Sequence, residues 1–421
     1  MGSLRFDRRL PRAATGSNWA FQTVDKERLV QPIRFQQLGR KVTGLLAVAL
    51  TLVACGPGSS GTAAPSAGGN LTFGAIVGLS GIFGQYGPSY TAGMNVAADR
   101  VNAKGIIVDG KKLTLKMRYI DDRSDAQVAL ASGIQMFRDE HVNILFGPLA
   151  SEAISMTPVA AEHNVINISL ATQAPDLVGP KYPLLFAALP ANNYRIGAMV
   201  AGIQKFYPNT KKVAFLTGSG GNDTIIGPMT TQLAAAGITG TAFTYPPGTK
   251  DISTVATKVV AAAPDLIVVG NSPEEQTSDV EQLTAAGLPK TVPCLCYSTQ
   301  MKPNGRDQLF PSAFSPVDPG VQTSPEIDKF KADITKYLPN PTAFNVQLAL
   351  AYYFTIRLTA LAVEKANSTT DVKAIAKAMT EVSLTEFGAQ FQWAGNHTIQ
   401  VPLAVTQISG TGVSKVVQVS P

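Results

Sequence analysis

Hydrophobic and polar positions follow two rhythms along this chain, and the switches between them mark out its elements. Residues 71–77 are a nearly continuous apolar run, the pattern of a strand covered on both faces. After a glycine-rich turn, Met94, Ala97, Ala98 and Val101 recur at helical spacing until Gly105 ends the pattern. In residues 113–119 every second position is apolar, as in a strand with one wet face. Ser124 and Asp125 open a second helix, with Val128, Ala131, Ile134 and Phe137 expected inward. A strand at 142–146, a helix at 152–163 and a strand at 165–169 complete the series. Alternation of this kind winds a parallel sheet.

The same order begins again after Tyr207 and Pro208. Strands at 213–217, 239–245, 266–269 and 292–297 alternate with helices at 228–236, 252–262 and 274–286. The expected fold class is therefore α/β, with two similar doubly wound lobes. The remainder holds helices at 326–337, 344–366 and 372–379 and strands near 391 and at 403–408, too little for a third domain. It completes both lobes, so the chain crosses a hinge between them more than once. The boundaries expected are 70–191 with 319–395 for lobe 1, and 192–318 with 396–421 for lobe 2.

Composition narrows the function. The 421 residues are 45% hydrophobic and 15% charged, enough apolar material for two cores. The formal charge of +6 is local: residues 1–54 hold nine of the 35 basic and three of the 29 acidic residues, so 26 of each remain in the body. A neutral body gives no support to nucleic acid as a partner. Three cysteines and three histidines are poor material for a disulfide framework or a zinc site, and no metal or other cofactor is expected.

The charged start has its own reading. Arg34, Arg40 and Lys41 precede an apolar run at 42–54, shorter than the roughly 20 residues a membrane-spanning helix needs, so 1–54 reads as a signal leader. The run closes in Leu52-Val53-Ala54-Cys55-Gly56, which resembles the bacterial lipobox, with Cys55 as the lipidated residue. Residues 55–69, rich in Gly, Ser, Pro and Ala, then form a tether. The protein is expected outside the cytoplasm, anchored by lipid to the outer face of the bacterial cytoplasmic membrane. Residues before Val30, with Trp19 and Phe21 in no periodic pattern, exceed an ordinary leader, and the translation start is expected at Val30.

Enzyme signatures are missing from the sequence. Gly218-Ser-Gly-Gly-Asn-Asp223 lacks the third glycine of a dinucleotide fingerprint, and there is no phosphate-cradling G-x-x-x-x-G-K-[ST] run. Ser80 misses the nucleophile-elbow pattern by one glycine. His141, His163 and His397 stand at element ends, where exposure is expected, and Cys294 and Cys296 share a strand face as small apolar residues. What remains are three strand-to-helix turns with binding groups. Gly81-Ile-Phe-Gly-Gln-Tyr-Gly87 offers Tyr86 on a flexible loop. Gly147-Pro-Leu-Ala-Ser151 puts Ser151 at a helix N-cap, where its hydroxyl and free N–H groups suit a carboxylate. Ile168-Ser-Leu-Ala-Thr172 adds a second hydroxyl.

With these turns, Asn102 to Gly105, the Asp121-Asp122 pair and Phe146-Gly-Pro148, the chain from Leu71 onward resembles the leucine/isoleucine/valine-binding family of solute-binding lipoproteins, type I periplasmic-binding folds that serve ABC importers. The resemblance implies that Ser151 and Thr172, with the backbone at Leu170, hold a ligand carboxylate, while Tyr86 lines the pocket. It also implies a monomer whose lobes close on a small-molecule ligand and present it to an ABC permease and its ATPase. Lobe 2 departs from the family pattern. Asn222 and Asp223 replace Tyr-Gly, Asn271 and Ser272 replace aromatics, and Tyr297-Ser-Thr-Gln300 lacks the acid that pairs with a ligand ammonium. Either Asp223 or Glu274 takes that role, or the ligand is an amide, a urea-like compound or an amine-free carboxylate suited to Asn222, Asn271, Ser272 and Gln300. A ligand sensor of the same fold, read by another protein, is the second reading.

Overall fold

The computed structural model describes residues 66–170, 181–218, 225–246, 248–270, 273–296, 305–312, 324–338, 346–410 and 414–419. They belong to one compact unit, residues 63–421. The leader, Cys55 and residues 56–65 lie outside the described residues.

Lobe 1 is built on β1 (Ser66–Val77), β2 (Ile106–Val108), β3 (Lys111–Asp121), β4 (Ile144–Phe146), β5 (Ile166–Ser169) and β6 (Leu185–Ala187), with α1 (Gly87–Lys104), α2 (Ala126–Arg138) and α3 (Ala150–Glu162) on its faces. The strand order is β2-β3-β1-β4-β5-β6, parallel except for β2, which makes a hairpin with β3. β1 starts earlier than expected. Ser66 and Ala67 pair with Lys111 and Lys112, so the last four tether positions are strand. The register shifts across Gly68 and Gly69, where a Cβ on Gly68 would press on the Lys112 carbonyl at 2.7 Å, so the glycines that read as tether form a bulge.

Lobe 2 follows with α4 (Asn192–Phe206), β7 (Lys212–Gly218), α5 (Gly227–Ala235), β8 (Thr239–Tyr245), α6 (Ser253–Ala261), β9 (Leu266–Val269), α7 (Pro273–Ala285), β10 (Cys294–Cys296) and β11 (Gln308–Ser312). The chain then forms α8 (Pro325–Thr335), α9 (Val346–Ala366), α10 (Val372–Met379), a small sheet of β12 (Ser383–Glu386), β13 (Ala389–Trp393) and β14 (Ile399–Gln400), and finally β15 (Leu403–Ile408) and β16 (Ser414–Val419). β15 and β16 add antiparallel strands to the lobe 2 sheet, whose order is β16-β15-β11-β10-β9-β7-β8. Both lobes thus share one parallel winding, β3-β1-β4-β5-β6 in the first and β8-β7-β9-β10-β11 in the second. The chain passes between the sheets three times, from β6 to α4, from β11 to α8 and from β14 to β15.

α9 explains why the C-terminal part returns to lobe 1. Ala349, Leu350, Ala351, Tyr352, Tyr353, Phe354, Ile356 and Leu358 are all fully buried, a helix apolar nearly all round that needs a cover on every side. α1 supplies one cover. It approaches so closely that a Cβ on Gly93 would overlap the backbone of Ala349. Tyr90 and Phe146 each meet Tyr352 edge-on, with centroids 5.3 and 6.2 Å away. At the far end Glu386 of β12 accepts from Arg100 of α1 at 2.7 Å, from Arg357 of α9 at 2.6 Å and from the Tyr353 hydroxyl at 2.7 Å. Two arginines thus share one carboxylate, with Arg100 also 3.5 Å from Asp333, and the contacts to Glu386 tie three elements together.

Two expectations are corrected. On α2 the buried residues are Ala129, Ser132, Gly133, Met136 and Phe137, whereas Ala131 is exposed and Val128 and Ile134 are half-buried. The small Ser132 and Gly133 let α3 come close, with Met156 lying where a Gly133 Cβ would be, and this turns the helix from its apolar stripe. His397 is half-buried instead of exposed, because the turn before β14 folds back on β6 and stacks its ring on Phe186 at 4.2 Å. Burial lowers its pKa, against a hydrogen bond to the Leu185 carbonyl. Cys294 and Cys296 are fully buried in the lobe 2 core with their sulfurs 3.1 Å apart.

Gly93→Val is expected to lower folding stability by about 2 kcal/mol or more, because the clash is with backbone and neither helix can turn aside. Urea unfolding measures this, and an unchanged midpoint would contradict the α1–α9 packing.

Candidate ligand-binding site

In a doubly wound sheet the crevice opens at the carboxyl ends of the strands, where successive connections leave on opposite faces. In lobe 1 that point lies between β1 and β4. The loop after β1 carries Tyr86, and the turn after β4 leads to Ser151.

The first loop is fastened, contrary to the flexibility its glycines suggest. Asp121, at the end of β3, accepts the N–H groups of Leu79, Ser80 and Arg123 at 2.9, 3.2 and 2.9 Å, and the Ser80 hydroxyl at 2.7 Å. Ser124 donates to the Ser80 carbonyl at 2.8 Å and accepts the Phe83 N–H at 3.0 Å. Gly81, at φ +74°, passes against the Arg123 carbonyl, where a side chain has no room. Tyr86 then stands half-buried at the start of α1, packed on the main core.

The Asp pair divides in character. Burial pushes the Asp121 carboxyl upward, but the Ser80 hydroxyl and the three N–H groups outweigh it and hold the pKa below the usual value. Asp122 is 2% exposed. Burial raises its pKa from 3.8 to about 6, against the Ser124 N–H and with help from the nearby Glu152 and Asp121 charges. Glu152, itself buried, lies in the first turn of α3, so two carboxyl groups share the ground beneath the candidate site.

The turn after β4 also differs from expectation. Leu149, extended at ψ 162°, is the N-cap of α3, so Ser151 is the second helical residue. Leu149 has no side chain able to cap, so the N-cap residue itself supplies no acceptor at the positive end of the helix. Gly147, at φ +82°, lies against the Ile76 carbonyl, and its own carbonyl accepts from Asn167 Nδ2 at 2.6 Å. Leu170, half-buried, follows β5 directly and completes a row of strand ends with Tyr86 and Ser151.

The structure thus brings Tyr86, Ser151 and Leu170 to one end of one sheet. Thr172, Asn222, Asp223, Asn271, Ser272 and Gln300 lie outside the described residues. The strands leading to them, β5, β7, β9 and β10, all end at the carboxyl side of their sheets. Asp121 is the residue whose role went unread. The doublet stood out only through resemblance, since nothing in local periodicity indicates a carboxylate reaching back to a loop some forty residues earlier. Among the described residues no group of three His, Cys, Asp or Glu is placed to hold a metal ion, and no helix is long and apolar enough to cross a membrane.

Comparison with known proteins agrees with this architecture. A family model described as periplasmic binding protein matches residues 70–413. The Leu/Ile/Val-binding protein BraC3 of Rhizobium johnstonii is 24% identical over 325 residues, which cover 76% of this chain and 85% of that protein. Among solved structures, the leucine binding protein LivK of Thermotoga maritima superposes with a TM-score of 0.68 at 17% identity, covering 83% of this chain and 99% of that one. A solute-binding protein of R. palustris in complex with benzoate gives 0.66 at 16% identity, covering 84% and 98%.

The Asp122 carboxyl sets a pH test. Between pH 4 and 6 the folded state keeps a proton that the unfolded chain has released, so this group makes stability fall as pH rises through that window. Asp122→Asn, whose Oδ1 can still accept the Ser124 N–H, is expected to remove that slope and to melt higher than the parent at pH 7. His397 titrates in both proteins and cancels in the difference. Parallel stability profiles for the two would refute the buried, proton-holding Asp122.

Proposed function

The chain belongs to the periplasmic binding protein family, and from that premise we propose that it is an extracytoplasmic, lipid-anchored solute-binding protein that captures a small polar or amino-acid-like ligand between its lobes and delivers it to an ABC importer. The family consists of binding proteins and not enzymes, so the work to be explained is capture and release. The observation that carries the reading is the β1/β4 switch point of lobe 1, where the start of α3, with Leu149 at its N-cap, lies at the same strand ends as Tyr86.

In this reading the α3 N–H groups, Ser151, Thr172 and the backbone at Leu170 hold a carboxylate, and Tyr86 covers the body of the ligand. Lobe 2 contributes Asn222, Asp223, Asn271, Ser272 and Gln300. The clamp halves are 70–191 with 319–395 and 192–318 with 396–421, supported by α8 and α9 packing on α1 and by β15 joining the lobe 2 sheet. The ligand must touch both halves, since only contacts made better in the closed form shift the equilibrium toward it. The protein works as a monomer, and its closed form meets the permease of the importer with its ATPase. Cys55 holds the body to the membrane.

Two ligand classes are in play. Relatives named for leucine, isoleucine and valine favour a branched-chain amino acid. The neutral lobe 2 residues, the missing acid at 297–300 and a neighbour that holds benzoate favour an amine-free carboxylate.

Thermal unfolding with leucine, isoleucine, valine, simple amides and benzoate separates them. A ligand at one hundred times its Kd adds about 2.7 kcal/mol, a shift of several degrees. Failure of every amino acid, amide and small carboxylate would defeat the reading. Ser151→Ala with Thr172→Ala is expected to weaken a carboxylate ligand at least about tenfold with the fold intact, since each charge-assisted hydrogen bond is worth roughly 1.5–3 kcal/mol. Cys55→Ser is expected to move the expressed protein from the membrane to the soluble fraction, and unchanged membrane recovery would refute the anchor.

A further inference from the structure

A groove of about 490 Å³ opens at the opposite end of lobe 1 from the candidate ligand site. The sheet defines its place: Asn164 and Leu184 precede β5 and β6, so the groove lies at the amino ends of parallel strands, whereas Tyr86, Ser151 and Leu170 lie beyond carboxyl ends. One wall is α10, through Lys373, Ala376 and Lys377. The other carries Ala161, Leu184 and His397.

Its chemistry is one-sided. The lining is mainly apolar, it includes two lysines and it includes no carboxylate. Lys373 and Lys377 sit four apart on one face of α10, both exposed, and neither ammonium has an ion-pair or hydrogen-bond partner among the described residues. The nearby acids are engaged or stand outside. Asp371 caps α10 by accepting the Ala374 N–H at 3.0 Å, Glu381 pairs with Lys365 at 3.2 Å, and Glu162, next to Ala161, is exposed and does not line the groove. His397 adds an aromatic surface and no third cation at neutral pH, since it is stacked on Phe186 and its pKa is lowered.

We propose that this groove is a second binding site, for a small amphipathic carboxylate whose aliphatic body lies along the apolar walls and whose carboxylate sits between Lys373 and Lys377. A groove of this volume and lining is of the kind that holds small ligands. Two unpaired cations on an apolar rim supply the charge that such a ligand lacks. The site is independent of the clamp, because none of its lining residues belongs to the crevice.

Titration calorimetry of the full chain with octanoate and with its neutral counterpart octanamide tests the assignment. Octanoate is expected to bind about tenfold or more tightly than octanamide, the difference being the two charge-assisted contacts. Lys373→Gln with Lys377→Gln is expected to bring octanoate down to the level of octanamide and to leave octanamide unchanged. Both lysines are exposed, so an unaltered melting curve confirms that this variant folds. Ser151→Ala with Thr172→Ala should retain octanoate binding in full. Equal affinity for the acid and the amide, no binding of octanoate at millimolar concentration, an unaffected lysine variant, or loss of octanoate in the Ser151/Thr172 variant would each overturn the proposal. The last would place the anion in the clamp.

Discussion

The side of lobe 1 that carries the candidate site hangs from the close packing of α1 on α9. Gly93 has no room for a side chain against Ala349, and the nearby Tyr90 meets Tyr352 edge-on, so α1 is held close against α9. Tyr86 stands at the amino end of that helix, and its loop is closed where Gly87 runs against the Gly78 carbonyl. A change at Gly93 would therefore reach the crevice without touching any binding residue. The same contact explains the chain path: α9 is too apolar to stand beside lobe 1 as a surface helix, so the C-terminal segment must cross back after lobe 2 is begun.

Electrostatics finish what packing begins. Two neighbouring carboxyl groups do opposite work because their surroundings differ. Asp121 is surrounded by donors and stays ionised, which fastens the loop after β1 to the loop after β3. Asp122, one residue on, points into the interior toward Glu152 and the Tyr352 side, and burial favours its neutral form. A second ionised carboxylate there would repel anions arriving at the start of α3. With its pKa at about 6, Asp122 keeps its proton and avoids that repulsion only in mildly acid conditions.

Long periodic segments were legible in the sequence, and tertiary detail was not. The apolar run of β1, the period of α1, and Asp125 as the N-cap of α2, where it accepts Gln127 and Val128 at 2.8 and 3.0 Å, all follow from local chemistry. β2 and β6 have three residues each and β14 has two, too few to show a period. α4 went unread although Ile196, Met199, Val200 and Ile203 recur at helical spacing and are all buried. The face of α2 was misread because a glycine counts as blank in a periodicity, whereas in the packed protein it is where the neighbouring helix comes closest. At the site, the hydroxyl at Ser151 was legible but its helical position was not, since Leu149 holds the cap position by backbone shape alone.

The two ends of lobe 1 offer an anion different kinds of positive charge. At the carboxyl ends of the strands the charge is a helix start, made of backbone N–H groups fixed by the fold and set beside buried side chains. At the amino ends it is a pair of exposed ammonium groups on flexible stems. Fixed dipoles in a partly closed crevice are little screened, and they select by geometry. Exposed lysines lose much of their pull within a Debye length of roughly 8 Å at physiological salt, and they select by charge. An anion held at the crevice should therefore be insensitive to ionic strength and demanding of shape, while one held on α10 should weaken with salt and tolerate many apolar bodies. That contrast follows from where each charge sits in the same winding, and it ties the chemistry of each end to the direction in which its strands run.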